Sequence, residues 1–419
     1  MGTPFTMLIV VCPIIFFTFA TFFGRLPQIC TPTSFLFRSK GINIVELLNR
    51  LDRRFTKGRI AQSAPRLTRY LVYKEYPIVL IFFVSVLIGG SILFVPAIWP
   101  LIPWYHKIVI SLLLPLPHIF IHLCNKSGPD APHIITISSY TKNVSRYPYD
   151  YKLFHPNIYC KTCQFPKPAR SKHCSLCRAC VARADHHCIW VNNCLGRGNY
   201  KYFLALLLST AALLAYVVLL AYLTLKPQVK DHYLQYPAWH AEPSMLLFNS
   251  QLNSGRDGWA NRTLMQIDGW LDTIATALLI GGFARCSVGL LALLTAPLPA
   301  GLFAYHTCLI WAGMTTNESA KWNAWREEIV GGLAYVAPIA GNGENSQSSQ
   351  HQWDEKSAWP KRSRQFLVLT SDGLPPRNLQ PEIKAVVGEH VDWRRCRSLK
   401  EVDNIYNLGV WQNLTDVLL

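Results

Sequence analysis

The amino-acid sequence predicts an α-helical, multi-pass membrane protein of about five transmembrane helices with one small cysteine-rich module. Three observations predict this class. The chain has 419 residues, of which 50% are hydrophobic and only 16% are charged. The hydrophobic residues gather into runs long enough to cross a bilayer, which takes about 20 apolar residues. In addition, seven of the 13 cysteines fall between residues 160 and 194.

Five segments are predicted to span the membrane. Pro115 and Pro117 interrupt residues 108–120, and Pro297 and Pro299 interrupt residues 289–310. Such prolines are tolerated in a span when neighbouring helices satisfy the freed backbone groups. A further apolar segment, residues 274–283, is separated from the last span by Arg285. We expect it to be an approach at the membrane surface rather than a sixth span. The predicted spans are residues 7–23, 77–104, 108–120, 202–225 and 289–310.

The distribution of charge predicts the orientation. Residues 24–76 hold 11 Lys and Arg against 3 acidic residues, whereas residues 226–270 hold 4 of each. Because basic loops stay in the cytosol, the first run is predicted to be an anchor with its N-terminus outside the cytosol. A cleaved signal peptide is the alternative, but no Lys or Arg precedes the run. The cysteine-rich module and the tail are then expected to face the cytosol.

The net charge of +17 suits anionic lipid headgroups and phosphate-bearing substrates, although topology alone would explain it. Nucleic acid is a disfavoured partner, because most of the chain is committed to lipid. No internal repeat is evident. Residues 341–352 are polar without an apolar period and are predicted to be a disordered insert.

The spans and loops divide the chain into eight predicted segments. In order they are an N-terminal transmembrane anchor (1–24), a basic cytosolic loop (25–76), transmembrane helices two and three (77–123), the cysteine-rich module (155–203), transmembrane helix four (203–226), a lumenal loop with the approach segment (227–287), transmembrane helix five (288–312) and a cytosolic tail (313–419).

The cysteines and histidines of the module have the spacing of zinc ligands. In reducing cytosol they do not form a disulfide framework, and scattered free cysteines fit badly with three Cys-x-x-Cys spacings. A module of about 45 residues with few aliphatic side chains cannot bury much core, and zinc binding worth roughly 10–16 kcal/mol per site replaces it. Eight residues are enough for two Cys₃His sites: Cys160, Cys163, His173, Cys174, Cys177, Cys180, His187 and Cys194.

Cys188, His186 and Asp185 are left over when those eight positions are filled. A thiol, a base and a carboxylate in sequence are what an activated cysteine nucleophile needs. The alternative is that Cys188 is a spare zinc ligand and His186 a solvated residue, and spacing alone leaves it open. Phe203 follows Cys188 by fifteen residues, so the thiol is expected near the membrane face, where it can meet an acyl chain.

The pattern from Cys160 to Phe203, Cys-x₂-Cys-x₃-Lys-Pro-x-Arg-x₂-His-Cys-x₂-Cys-x₂-Cys-x₄-Asp-His-His-Cys-x₅-Cys-x₄-Asn-x₃-Phe, resembles the DHHC protein S-acyltransferases. Thr315-Thr316-Asn317-Glu318 resembles the TTxE motif of that family, and Tyr406-Asn407-Leu408-Gly409 with Asn413 resembles its C-terminal motif. Two departures are Gly128-Pro129-Asp130, where the family usually has Asp-Pro-Gly, and Asn407, where it usually has Asp. The extra N-terminal span resembles the fungal SWF type.

The resemblance implies a palmitoyltransferase in which Cys188 accepts the acyl group from palmitoyl-CoA, His186 is the general base and Asp185 orients it. It implies one zinc ion on Cys160, Cys163, His173 and Cys180, and another on Cys174, Cys177, His187 and Cys194. It also implies that Thr316 packs near Asp185 and that Asn413 ties the tail to the membrane end of the module.

The fungal type further implies transmembrane SNARE-like substrates with juxtamembrane cysteines, an endoplasmic reticulum membrane and an active site facing the cytosol. Two rival functions are weighed against this one. A zinc-binding membrane scaffold without turnover would not need the intact Asp185, His186 and Cys188. A metallohydrolase would need an open coordination position, and all eight ligand positions are predicted to be closed.

Overall fold

A computed structural model describes residues 77–126, 131–236, 258–339, 363–377, 379–388 and 391–418. The predicted N-terminal anchor, the basic loop after it and the predicted insert at 341–352 lie outside the described residues. In the described part, four helical segments are long and apolar enough to cross a membrane. They are Pro77–Ile98, Trp104–Asn125, Tyr200–Gln235 and Asp272–Trp311.

The first two of these segments are helix α1 (Pro77–Ile98) and the pair α2 (Trp104–Leu113) and α3 (Pro115–Asn125). Pro115 opens α3 at its first turn, where its missing N–H costs no helical hydrogen bond. The proline therefore divides this segment without ending it. A short helix, α4 (Ile137–Arg146), follows outside the spans.

The next two helices are longer than a bilayer requires. Helix α5 (Tyr200–Gln235) has 36 residues, or about 54 Å at 1.5 Å per residue, against about 30 Å for the hydrocarbon core. Helix α6 (Gly258–Thr295) packs along it. The predicted loop and approach segment, 227–287, is thus helical at both of its ends.

The predicted approach segment is joined to the last span through Gly282. Its φ of 73° and ψ of 154° interrupt the helical backbone inside α6, and only glycine adopts such a conformation readily. After this kink the chain continues through α6 into helix α7 (Pro297–Trp311).

The segment between α4 and α5 folds into three short antiparallel hairpins, which we call the hairpin module. The first hairpin pairs β1 (Tyr159–Cys160) with β2 (Phe165–Pro166), the second pairs β3 (Lys172–Cys174) with β4 (Ala179–Val181), and the third pairs β5 (His186–Cys188) with β6 (Asn193–Leu195).

The tail forms a small α/β unit that the sequence analysis did not foresee. Helix α8 (Thr316–Val330) leads into a three-stranded sheet in which β7 (Ala334–Pro338) lies between β8 (Gln365–Leu369) and β9 (Arg394–Arg395). Helix α9 (Pro381–Val387) lies between β8 and β9 in the chain. Helix α10 (Val410–Leu418) packs instead against α5 and α7. One buried apolar cluster joins α8, the sheet and residues 147–154. The tail and the segment before the hairpin module therefore share a core.

Candidate active site on the third hairpin

The three hairpins repeat one another at intervals of 14 residues, a repeat that the sequence analysis did not find. Cys160, Cys174 and Cys188 each end the first strand of their hairpin. Each faces the first residue of the returning strand: Phe165, Ala179 and Asn193 respectively. The turns also share a backbone conformation, with φ near 50° to 57° at Gln164, Arg178 and Asn192.

The first two hairpins use this repeat to gather metal ligands. The thiols of Cys160, Cys163 and Cys180 lie 3.5, 3.4 and 3.9 Å from Nδ1 of His173. A tetrahedral zinc ion bound to sulfur and nitrogen sets these separations at about 3.6 Å. The first cluster therefore fits a zinc ion.

The second cluster is built in the same way one hairpin further on. Cys174, Cys177 and Cys194 place their thiols 3.8, 3.4 and 3.6 Å from Nδ1 of His187. The structure thus brings all eight predicted ligand residues together in the two sets that the resemblance implies, and each set could hold a metal ion.

The turn of the third hairpin lacks the second cysteine that a further cluster would need. Val191 stands 14 residues after Cys177, where the repeat would place a thiol, and its side chain is fully buried. Cys188 joins neither group of ligand atoms in the described part of the chain. Instead it lies buried in an apolar cluster with residues of α3, α5 and α7. The geometry favours a thiol left free over a spare ligand.

His186 and Asp185 form a close pair beside this thiol. Nδ1 of His186 lies 2.6 Å from Oδ2 of Asp185, and the backbone N–H of Thr316 donates to Oδ1 at 2.9 Å. The implied contact between Thr316 and Asp185 is therefore present. Burial alone would lower the pKa of His186, but hydrogen bonds to Asp185 and Cys188 outweigh burial and raise the pKa to about 10.

The Asp185 carboxyl is held in its ionised form. Burial opposes its ionisation, but the hydrogen bond from His186 and the N–H of Thr316 hold its pKa below the usual range. A carboxylate fixed in this way can orient an imidazole and stabilise its positive charge. The site therefore combines a buried thiol, an oriented imidazole and a carboxylate anchored from another segment.

A buried ion network fastens the hairpin module to the tail. The guanidinium of Arg170 donates to both carboxylate oxygens of Glu318 at 2.7 Å and lies 3.6 Å from Asp416. Nε of Arg183, just before the third hairpin, lies 3.0 Å from the same Asp416 carboxylate. The Tyr147 hydroxyl also donates to Asp416 at 2.8 Å. One acid of α10 thus holds two arginines of the module.

Asn413 ties the tail to the last span rather than to the module. Its Nδ2 donates to the carbonyl of Trp311 at 3.1 Å and to Oδ1 of Asn407 at 3.0 Å, while its Oδ1 accepts from the N–H of Leu408. Asn407 therefore supplies the acceptor oxygen that an aspartate would supply there. The other departure, Gly128-Pro129-Asp130, lies outside the described residues.

Comparison with known proteins identifies a family and several relatives. The family model of the DHHC palmitoyltransferase matches residues 153–323. A palmitoyltransferase named SWF1 from Neurospora crassa is 38% identical over 422 residues, which cover 100% of this chain and 93% of that protein. One from Emericella nidulans is 38% identical over 432 residues, which cover 100% and 97%. One from Schizosaccharomyces pombe is 33% identical and covers 73% of this chain and 76% of that protein.

The chain therefore belongs to the DHHC palmitoyltransferase family of multi-pass membrane enzymes, and its activity is protein S-palmitoyltransfer. Within that family, relatives similar along the whole chain carry the SWF1 name. The predicted family, its fungal type and the multi-pass fold class are confirmed.

Proposed function

We propose that Cys188 carries the acyl group as a covalent intermediate between palmitoyl-CoA and a protein thiol. The observation that carries this proposal is a thiol outside both ligand clusters, on a hairpin whose neighbouring residues are the hydrogen-bonded Asp185 and His186. A cysteine beside an oriented imidazole is the arrangement that activates a sulfur nucleophile.

In the first step the Cys188 sulfur attacks the thioester carbonyl of palmitoyl-CoA while His186 holds the proton of the thiol. The bond between the carbonyl carbon and the CoA sulfur breaks, and the CoA thiolate takes that proton. In the second step a substrate cysteine gives its proton to His186 and attacks the acyl-enzyme. Cys188 leaves as the thiolate, so the enzyme returns to its starting state.

The surroundings of Cys188 suit a long acyl donor. The thiol is only 5% exposed and belongs to the same apolar cluster as Ile121, Phe203 and Ile310, each from a different span. Keeping an acyl chain out of water is worth about 0.8 kcal/mol per CH₂ group. We infer that the chain of palmitoyl-CoA lies among these spans while its thioester reaches Cys188.

Two structural zinc ions complete the proposed enzyme. One would be held by Cys160, Cys163, His173 and Cys180, and the other by Cys174, Cys177, His187 and Cys194, since both sets have the separations that zinc requires. Bound zinc would supply folding free energy to hairpins whose strands are only two or three residues long. Both proposed acyl-transfer steps use the side chains of Cys188 and His186.

The proposed substrates are membrane proteins with cysteines beside their spans, in particular transmembrane SNARE-like proteins in the endoplasmic reticulum. Both inferences come from the resemblance to the fungal type. The proposed orientation, with Cys188 and the tail in the cytosol, rests on 11 Lys and Arg in residues 24–76. The proposed boundaries of the eight segments, from the N-terminal anchor (1–24) to the cytosolic tail (313–419), rest on the same assignment of spans and loops. Protease protection in sealed microsomes would contradict the orientation if the tail were shielded.

Labelled palmitoyl-CoA tests the intermediate directly. Purified wild-type protein is expected to take up label that hydroxylamine releases, and Cys188→Ser is expected to take up none. Cys308→Ser is the matched control, because Cys308 is an exposed thiol on α7 outside both clusters. Hydroxylamine-sensitive label that persists in Cys188→Ser and disappears in Cys308→Ser would place the intermediate elsewhere.

A further inference from the structure

A second buried histidine lies against the proposed base. His306, on α7 within the last span, is only 1% exposed. Its ring is nearly parallel to that of His186, with centroids 5.8 Å apart and an interplanar angle of 26°. Polar atoms of Asp185, His186 and His306 lie within 4.8 Å of one another. An ionisable side chain inside a span is rare and usually functional.

His306 is itself held in place by Tyr200. The Tyr200 hydroxyl lies 2.8 Å from Nδ1 of His306, and both side chains are buried. Phe203 packs edge-on against both imidazoles, with centroids 5.6 Å from His186 and 5.1 Å from His306. The hydrogen bond restrains the orientation of the His306 ring. The face of this ring packs against the face of the His186 imidazole.

The hydrogen bonds of His186 to Asp185 and Cys188 act at the edge of its ring. They leave the imidazole able to tilt, because its side chain is 30% exposed and lies on a three-residue strand. A flat partner on its face removes this freedom. We propose that His306, fixed by Tyr200, is a positioning residue that keeps the His186 imidazole aimed at Cys188. This inference rests on the proposed roles of Cys188 and His186.

A single-turnover assay tests the inference. Full-length protein in lipid nanodiscs is mixed with labelled palmitoyl-CoA, and the acylation rate constant and the half-saturating concentration are measured. Misplacing a catalytic group by about 1 Å can cost about 10²-fold in rate, so His306→Ala is expected to slow acylation to about that extent with unchanged half-saturation and zinc content. His306→Phe, which keeps a flat ring, is expected to recover part of the rate.

The matched control is His106→Ala. Nδ1 of His106 also contacts a tyrosine of α5, with Tyr216 Oη at 2.6 Å, but this histidine is not among the groups gathered at Asp185 and His186. Its loss is expected to leave the rate at the wild-type value. If His306→Ala and His306→Phe were both as active as His106→Ala, the inference would be wrong.

A double-variant cycle separates positioning from general damage. If His306 acts only through His186, then His186→Ala with His306→Ala is expected to be as slow as His186→Ala alone. Losses that multiply would overturn the inference. A His186→Ala variant with wild-type rates would instead overturn the proposed function, and His306 would then have no base to position.

Discussion

The second and third hairpins share a strand register and a turn conformation. They differ in the cysteine that ends the first strand, which belongs to a ligand cluster only in the second hairpin. In the second, Cys174 and Cys177 both belong to a ligand cluster. In the third, Cys188 occupies the position of Cys174, and Val191 occupies the position of Cys177. Because Val191 has no thiol, Cys188 lacks the Cys-x-x-Cys partner that Cys174 has in Cys177. Cys188 therefore stands at a ligand position of the repeat whose counterpart positions 191, 201 and 208 hold valine, lysine and leucine.

The sharpest test of this comparison is serine substitution at equivalent positions. Cys188→Ser is expected to abolish the acyl-enzyme and to keep all bound zinc. Cys174→Ser is expected to lose the metal of the second cluster and to unfold the module, because zinc binding worth roughly 10–16 kcal/mol holds such a site together. Metal analysis and labelling of both purified variants are the measurements. Equal zinc loss in the two would show that Cys188 is a ligand.

A second thiol at position 191 is expected to make acylation of the third hairpin reversibly sensitive to oxidation. Val191→Cys recreates the Cys-x-x-Cys spacing, which lowers the pKa of a thiol and favours disulfide formation. With the oxidant diamide, which takes two electrons from the two thiols, we expect this variant to lose acylation and to regain it with a reductant. Val191→Ala is the control and is expected to be unaffected by diamide. Equal sensitivity of the two variants would contradict the shared plan of the hairpins.

Removing the base is expected to have a smaller effect than either change at the thiol. His186→Ala is expected to slow acylation about 10²–10⁴-fold at neutral pH. In the wild type, burial would lower the pKa of His186, but hydrogen bonds to Asp185 and Cys188 outweigh it and raise the pKa to about 10, so the imidazole can hold the proton of the thiol up to that pH. In the variant no imidazole takes the proton of the thiol, so the thiolate must form unaided.

The defect of His186→Ala is therefore expected to shrink as the pH rises. Below the pKa of the thiol the rate of the variant is expected to rise about tenfold per pH unit. Acylation measured from pH 6 to 9 checks this slope. A constant ratio of wild-type to variant rates across that range would remove the proposed base from the mechanism.

The smallest expected effect on the acylation rate comes from breaking the ion network that holds the second and third hairpins to the tail. The main effect of that change is expected on thermal stability. Asp416→Asn removes the carboxylate shared by Arg170 and Arg183. Breaking a buried ion pair on one side costs about 3–5 kcal/mol, so we expect a clear loss of thermal stability. Glu401→Gln, which breaks an exposed contact with Arg394 at 4.0 Å, is expected to cost less than 1 kcal/mol. Equal melting temperatures for the two variants would contradict the network.

The parts of the site that the sequence predicted are those set by local spacing. The eight cysteines and histidines of the two clusters fall within 35 residues of chain, so ligand spacing alone indicates a metal module. Asp416 and His306 could not be found in this way, because each reaches the module from a distant helix. A histidine within a run as apolar as residues 297–311 was a usable signal. For Asp416 the sequence offered none.

The fold shows the same division. Apolar runs predicted the spans in the described part, because length and hydropathy suffice for a helix in lipid. They did not predict how far α5 continues, since residues 226–235 are mostly polar. This part of α5 is held by contacts with α6, where Tyr233 donates to Asp272 at 2.7 Å and Arg285 donates to Gln228 at 3.0 Å. The sheet of the tail also escaped prediction, because its strands are only two to five residues long and are separated by long connections.

The hydrogen bond from Thr316 to Asp185 joins residues 131 positions apart. A ribosome therefore delivers the thiol and its imidazole well before it delivers the backbone group that anchors their carboxylate. Until the last span is in place and α8 has formed, Asp185 lacks this hydrogen bond. The proposed base His186 is then not yet held beside Cys188 by an anchored carboxylate. If Cys188, His186 and Asp185 have the proposed roles, the order of synthesis delays acyl transfer until α8 has been made.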